Sequence, residues 1–404
     1  MMKKMFFLPL SITLLAISCP AQNENEATPF PGGAIRNIPA AALVRDMGIG
    51  VNIGNTFDSL NTGNIAGETG WGNPKVSRQY IRALKSRGYK SIRLPVSWVD
   101  YMGSAPDYEI RASWMNRVAE VAKWIIEEDM YCILNLHHDG GGDFDRQGNI
   151  NSKYWIKQIS IPEKEDETSR RFAAVWKQIA LRFRDTGDKL ILEAMNEMGF
   201  DNLWNRWGGT SGKSEAYRLL NKLNQTFVDA VRATGGNNTA RFLLVSGYWT
   251  DIDQSCDPLF LMPDDTADDR LILSVHYYTP ATFCILEQDE LWGKNKIDWG
   301  NDETRVEDEA ELSRQFNKLK TNFLDAGIPV ILGEYGATKR NKAGDGRTRW
   351  MTAVTQICID NGICPVLWDT GMRANNQGMA DIRRTSPFDM SGELQAVWRN
   401  LRLP

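Results

Sequence analysis

Three observations predict an α/β fold built as one (β/α)8 TIM barrel with no second domain. Short β-rich apolar runs recur along the 404-residue chain, amphipathic stretches of helical period separate them, and several of those stretches stop at a glycine just before the next run (Gly88, Gly187, Gly235, Gly327, Gly362). Length alone would allow two or three domains, but barrels of this kind run past about 250 residues as one unit, and no break in composition divides the chain.

Taken in order, strands are expected at residues 49–57, 90–98, 131–139, 190–197, 241–250, 271–280, 329–336 and 363–370. Helices are expected between them at 75–86, 112–129, 168–184, 214–233, 303–326 and 347–361; the helix due after Thr250 has the least sequence support. Residues 1–18 stand apart. Lys3 and Lys4 precede an apolar stretch too short to span a bilayer, which reads as an export signal. Ala16-Ile17-Ser18-Cys19 resembles a bacterial lipobox, although Leu is usual where Ala16 stands, which leaves two readings, a lipid anchor on Cys19 or plain secretion with Cys19 incidental; a flexible tether is expected over 19–35. The barrel is expected to occupy 36–404 and to be exported, either secreted or held at the cell surface, as a monomer.

Composition narrows the chemistry. A net charge of −4 with no basic run offers no footprint for nucleic acid. Three histidines limit metal sites, and five scattered cysteines after Cys19 form neither a disulfide framework nor a metal knuckle. Cys132 and Cys364 lie in apolar runs and read as small core residues; a Cys256–Cys284 pair is allowed by an oxidising compartment. The acidic run Asp264, Asp265, Asp268 and Asp269 lacks EF-hand spacing and reads as a solvated loop.

Each apolar run turns polar or aromatic at its C-terminal end, the end that converges on the catalytic face of such a barrel. There stand Arg93, His137 and His138, Asn196-Glu197, His276 with Tyr278, Glu334 and Trp368, so all three histidines lie on that face. Glu197 and Glu334 close the fourth and seventh runs and can face each other across the mouth. A carboxyl pair is what glycoside hydrolysis needs, one group to protonate the leaving oxygen and one to attack the sugar or activate water. A lone glutamate there would be read as a rim ion pair.

At these residues the sequence resembles glycoside hydrolase family 5. The resemblance runs from about Gly48 to Asp369 through Gly50-Val51-Asn52-Ile53-Gly54-Asn55-Thr56-Phe57-Asp58, Glu68-Thr69-Gly70-Trp71-Gly72-Asn73-Pro74, Arg93, the paired histidines, Asn196-Glu197, His276-x-Tyr278 and Gly333-Glu334-Tyr335-Gly336. The Asn-Ile-Gly-Asn-Thr opening and the segment around Trp71 are most similar to subfamily 4, whose members are endoglucanases, lichenases and xyloglucanases. It implies a retaining endo-β-1,4-glucanase acting without a cofactor on cellulose, mixed-linkage glucan or xyloglucan, with Glu197 as acid/base and Glu334 as nucleophile. Glu197 should then hold its proton near neutral pH and Glu334 should stay ionised, with Arg93 beside it. Asn196 would bond the sugar 2-hydroxyl, His137, His276 and Tyr278 would fix hydroxyls and charge, and Trp368 would lie under the sugar next to the scissile bond. His138 is left between a supporting role and substrate contact, because adjacent strand residues face opposite ways.

The excess of tryptophan, 14 residues, fits a cleft that packs sugar faces on rings. Trp124 and Trp176 fall in helical patterns and read as packing; Trp71, Trp98, Trp249, Trp292 and Trp299 are stacking candidates. The loop 280–301, with Phe283, Trp292 and Trp299, is expected to wall the cleft, and Asn52, Asp139 and Asn375 are further contact candidates. Three rival readings remain: a mannanase or a xyloglucan-specific enzyme of the same family, a metal-dependent barrel hydrolase with His and Asp ligands, and a glycan-binding barrel without catalysis. The presence of both carboxylates argues against the last, and the Asn-Ile-Gly-Asn end of the first run, without a His-x-His pair, against the metal enzyme.

Overall fold

The computed structural model describes residues 32–60, 67–140, 153–205, 211–371 and 378–403. The export signal, Cys19 and Asn375 lie outside them. Eight parallel strands, β1 Gly50–Asn52, β2 Ser91–Leu94, β3 Tyr131–Asn135, β4 Leu190–Glu193, β5 Leu243–Asp251, β6 Leu271–Tyr277, β7 Val330–Tyr335 and β8 Cys364–Leu367, close in sequence order, with β8 paired to β1. All eight expected strands are therefore present, each at its expected place and each shorter than expected. The polar ends leave the ladder to form the rim: after β1, Ile53 N–H still donates to the Arg93 carbonyl at 3.0 Å, but Gly54 N–H donates to the Asp369 carbonyl at 3.1 Å and Asn55 turns into the left-handed region at φ 56°.

The helices are α1 Ala40–Met47, α2 Arg78–Ser86, α3 Ala112–Glu127, α4 Glu165–Arg182, α5 Lys213–Arg232, α6 Ile252–Ser255, α7 Ala281–Cys284, α8 Arg305–Asn322, α9 Gly346–Asp360 and α10 Gly392–Asn400. The weak expectation after Thr250 has a physical counterpart: α6 is a single turn, and the loop beyond it covers the barrel instead, with Phe260 set edge-on to Phe323 at 6.3 Å. Strand alternation splits the core in two. Outward residues such as Ile92, Leu134, Leu192, Val245, Val275 and Leu332 pack under the helices. Inward residues Ile133, Ile191, Leu244, Ile272, Ile331 and Val366 pack together and on Ala40, Leu43, Val44 and Met47 of α1, which closes the N-terminal end of the barrel. One pleat further on, the inward positions are Asn52, Arg93, Asn135, Glu193, Ser246 and Ser274, all fully buried.

Cys132 and Cys364 are buried small residues, as read from the sequence. Cys256 and Cys284 do not pair: Cys284 is buried on α7 against the main core, whereas Cys256 ends α6 and is partly exposed, and both are free thiols. The acidic loop is more than solvated, since both oxygens of Asp265 accept from Arg232 of α5 at 2.7 Å and Asp269 accepts the Ala40 N–H at 3.2 Å.

Candidate active site

The polar layer inside the barrel is organised by Arg93, whose side chain has no exposure. Its Nε donates to Glu193 at 2.6 Å, one terminal nitrogen to Glu334 Oε1 at 2.6 Å and Asn52 at 3.0 Å, and the other to Asn196 Oδ1 at 2.8 Å. A planar fork with fixed donors can satisfy this many acceptors at once, which a lysine could not. The neighbouring carboxylates hold the guanidinium above its ordinary pKa against the opposing effect of burial. Arg93 lies beside Glu334, as the resemblance implies; a substrate-binding residue by strand-end position, it is buried so deeply that it orients the groups facing the cleft rather than lining the cleft itself.

Above it, Glu334 on β7 is 6% exposed and accepts a second hydrogen bond, on Oε2, from the Tyr278 hydroxyl at 2.9 Å. His137 Nε2 is 4.0 Å from Oε1, and His276 Nδ1 is 3.7 Å from Oε2. Glu197, just past β4, is 37% exposed and meets His276 Nδ1 at 2.8 Å. Ligand atoms of Glu197, His276 and Glu334 all lie within 4.8 Å of one another, so the two carboxyl groups do face each other across the mouth.

Two carboxyls this close titrate as a pair. Burial, the largest influence, raises Glu334 against the pull of His276 and Arg93. Burial also acts upward on Glu197, but the His276 hydrogen bond brings it below the ordinary value. In the free cleft this is the reverse of the order expected from sequence. The contact with His276 Nδ1 can also run the other way, with a protonated Glu197 as the donor.

Burial leaves His137 neutral, well below the usual histidine pKa, and brings His138 to about 4. His137 lies parallel to Trp368 with ring centres 5.5 Å apart, and Asn135 holds its Nδ1 at 3.2 Å. His138 sits one step outward, its backbone N–H on Ser97 and its ring 5.5 Å from half-buried Trp71. The Trp368 ring is half-buried and pressed on Gly54, where a Cβ would come within 2.8 Å of it, which explains a glycine at the rim of β1.

Several sequence candidates are placed elsewhere. Asn52 is buried, donating to the Gly333, Val366 and Leu367 carbonyls and accepting from Arg93, so it ties β1 to its neighbours rather than meeting sugar. Asp139 is buried too and accepts the Trp98 N–H and the Trp155 indole N–H, each at 2.8 Å. Trp98, Trp299 and Phe283 belong to the core, as do Trp176 and, partly buried beneath Arg117, Trp124. The loop 280–301 therefore turns its aromatics inward, except Trp292, which is 61% exposed. Trp249 does face the cleft. It and Thr250 occupy the left-handed region (φ 52° and 49°), its ring is held 4.4 Å from Lys157 Nζ, and it fits only because residue 199 is a glycine whose Cβ would collide with the indole. It lines a cavity of about 490 Å³ with Glu197, Asp251, His276, Tyr278 and Gln315.

Glu193 and Ser274 were missed. Glu193 sits inside the apolar run Leu190-Ile191-Leu192-Glu193-Ala194, and a charge in such a run has to be paired, which was the available signal. A cation would find two sets of His and carboxylate atoms among the described residues, Glu197 with His276 and Glu334, and Asp58 with His137 and His138. In both the carboxylates already have partners, Arg93 and Tyr278 on Glu334 and the backbone N–H groups of Asn55 and Thr56 on Asp58.

Comparison with known proteins agrees with this geometry. Residues 53–373 match the family model for cellulase, glycosyl hydrolase family 5. The chain is 35% identical to endoglucanase A of Ruminococcus albus over 87% of its own length and 89% of that protein. It is 33% identical to a xyloglucan-specific endo-β-1,4-glucanase of Bacteroides ovatus over 88% of its length and 69% of that protein. A subfamily 4 broad-specificity endoglucanase from an uncultured bovine rumen ciliate superposes with a TM-score of 0.75 at 33% identity, covering 90% of this chain and 97% of that one. A closed barrel with facing carboxyls over a buried arginine, and a match over most of the chain, have one reading: the protein belongs to glycoside hydrolase family 5 and is a glycosidase of the endo-β-1,4-glucanase type.

Proposed function

We propose that the enzyme cleaves internal β-1,4-glucosidic bonds with retention, Glu334 serving as nucleophile and Glu197 as acid/base. The observation that carries this is that one oxygen of each carboxyl lies within 4.8 Å of the other, short of the roughly 6.5–9.5 Å that an inverting pair needs to hold a water and in keeping with the narrower spacing of retaining pairs. The unequal settings of the pair support the roles. Glu334 is held from two sides by Arg93 and Tyr278, which orient the carboxylate for attack. Glu197 is open to the cleft and, among the described residues, is hydrogen-bonded to His276, which lets it pass a proton to and from bound groups.

In the first step a Glu334 oxygen bonds to the anomeric carbon, the glycosidic bond breaks, and the leaving oxygen takes the proton of Glu197. In the second, Glu197 takes a proton from water, whose oxygen bonds to the anomeric carbon and releases Glu334 as a carboxylate. Asn196, its Oδ1 fixed by Arg93, has Nδ2 for the sugar 2-hydroxyl, a bond able to tighten as charge develops. The Trp368 ring, backed by His137, takes the apolar sugar face on the side that becomes bonded to Glu334, with His138 and Trp71 beyond. The 490 Å³ cavity opens on the Glu197 side, so Trp249 receives the leaving portion of the chain.

The likeness to broad-specificity and xyloglucan-specific enzymes supports a β-glucan range that includes cellulose, mixed-linkage glucan and xyloglucan; mannan is the alternative within the family. The charged and apolar start of the chain, ending at Cys19, supports export, with a lipid anchor on Cys19 to hold the barrel at the cell surface. Proton NMR of the first minutes of cello-oligosaccharide cleavage should show the β-anomer accumulating before mutarotation. Initial release of the α-anomer would overturn the mechanism.

A further inference from the structure

Glu334 begins the reaction as a carboxylate and, in the glycosyl-enzyme, becomes an ester with no charge. Arg93 beneath it keeps its charge throughout. We propose that Glu193 is a positioning residue whose buried negative charge stays with Arg93 while Glu334 gives its own up to the sugar. This rests on the assignment of Glu334 as nucleophile.

The geometry is specific. Glu193 and Arg93 are both without exposure, Oε2 accepts Arg93 Nε at 2.6 Å, and Oε1 is aimed by the Ser274 hydroxyl at 2.8 Å. Among the described residues, Glu193 and Glu334 are the carboxylates within ion-pair distance of Arg93. Among the described residues, the other titratable groups facing Glu334 are His137 and His138 just past β3, Glu197 past β4, and His276 and Tyr278 from β6 and just past it. In the free enzyme with both glutamates ionised, Arg93, Glu193 and Glu334 sum to one negative charge; in the glycosyl-enzyme they sum to zero. Without Glu193 the same change would run from zero to an unpaired guanidinium in a dry interior, which is strongly unfavourable. Glu193 thus sets the free energy of the covalent intermediate relative to the free enzyme. Its loss opposes the forward, ester-forming step and not the step that restores the carboxylate.

Glu193→Gln keeps the shape and removes the charge. With 2-deoxy-2-fluorocellobiosyl fluoride, which forms the covalent intermediate and releases it slowly, inactivation of the variant should slow on the order of 100-fold, while reactivation of the isolated intermediate is unchanged or faster. An uncompensated Arg93 should also move the acid limb of kcat/KM down by about one pH unit, because it favours ionised Glu334 more strongly. A merely structural loss would lower both rates and leave the limb where it is. That outcome, or no change in either rate, overturns the proposal. Glu193→Asp should retain the wild-type limb. If Glu193→Gln fails to fold, Ser274→Ala, which releases Oε1 only, should show the same asymmetry at about several-fold, and equal effects on both steps would overturn the proposal. Peptide mapping of the trapped wild-type enzyme separates the two ideas, since a label on a residue other than Glu334 refutes the nucleophile assignment itself.

Discussion

Inside the barrel, two successive layers share the same strands and differ in how they hold together. Ile133, Ile191, Leu244, Ile272, Ile331 and Val366 meet α1 through apolar contact alone. One pleat higher, Asn52, Arg93, Asn135, Glu193 and Ser274 are as deeply buried, yet each has a directed polar partner. Dispersion and the hydrophobic effect are non-directional, so the lower layer requires volume and tolerates exchange of one aliphatic shape for another. In the upper layer every acceptor has its own donor, so one change leaves a stranded charge. The lower layer should therefore govern stability and the upper layer rate.

The sharpest way to break that contrast is Glu334→Gln. The nucleophile is lost while the shape remains, so turnover of cello-oligosaccharides should fall by at least about 10⁴-fold. Stability should hold, because Arg93 still has Glu193. A melting temperature equal to or above wild type together with lost activity would fit the contrast; a protein that unfolds would show that this carboxylate belongs to the scaffold.

The order of strands and the identity of the facing glutamates were legible in the sequence because each rests on a local pattern: a β-rich run, a glycine stop, a polar end at a known register. Residues whose role depends on what lies across the barrel were not. Asn52 and Asp139 carry the right chemistry at the right strand ends, yet their partners, the Gly333 carbonyl and the Trp155 indole, come from distant segments, and both were read as sugar contacts. Trp98 and Trp299 fail for the same reason, since a large ring at a rim position serves packing or stacking equally well. Glu193 shows the converse error, hidden among apolar neighbours. The short helix α1 went unrecognised because eight residues between Pro39 and Gly48 give too little period to see.

The lower layer supplies the second test. Ile272→Ala removes three carbons from the interior plug, and α1 is too short to collapse fully into the space. A loss of about 2–5 kcal/mol in chemical denaturation is expected, with turnover per folded molecule unchanged. A variant that kept its stability but lost rate would show that the plug transmits strain to Arg93, and the separation of the two layers would fail.

Asp139 sharpens the contrast at its boundary, being a rim carboxyl by position and a scaffold group by contacts. Burial raises its pKa to about 6, above the roughly 3.9 of an unfolded aspartate. The folded protein therefore holds a proton there that the unfolded chain has lost, so this stabilising contribution is complete below about pH 4 and disappears as pH rises through about 6. Asn cannot titrate. The stability difference between wild type and Asp139→Asn should accordingly shift in favour of the variant between pH 4 and 7, by at most about 3 kcal/mol, while the rate per folded molecule stays at the wild-type level. Denaturation midpoints for both proteins at each pH would read this directly. A difference independent of pH would mean that the carboxylate is already ionised in the fold, held so by the Trp98 and Trp155 N–H groups, and a fall in rate would return Asp139 to the substrate side of the rim.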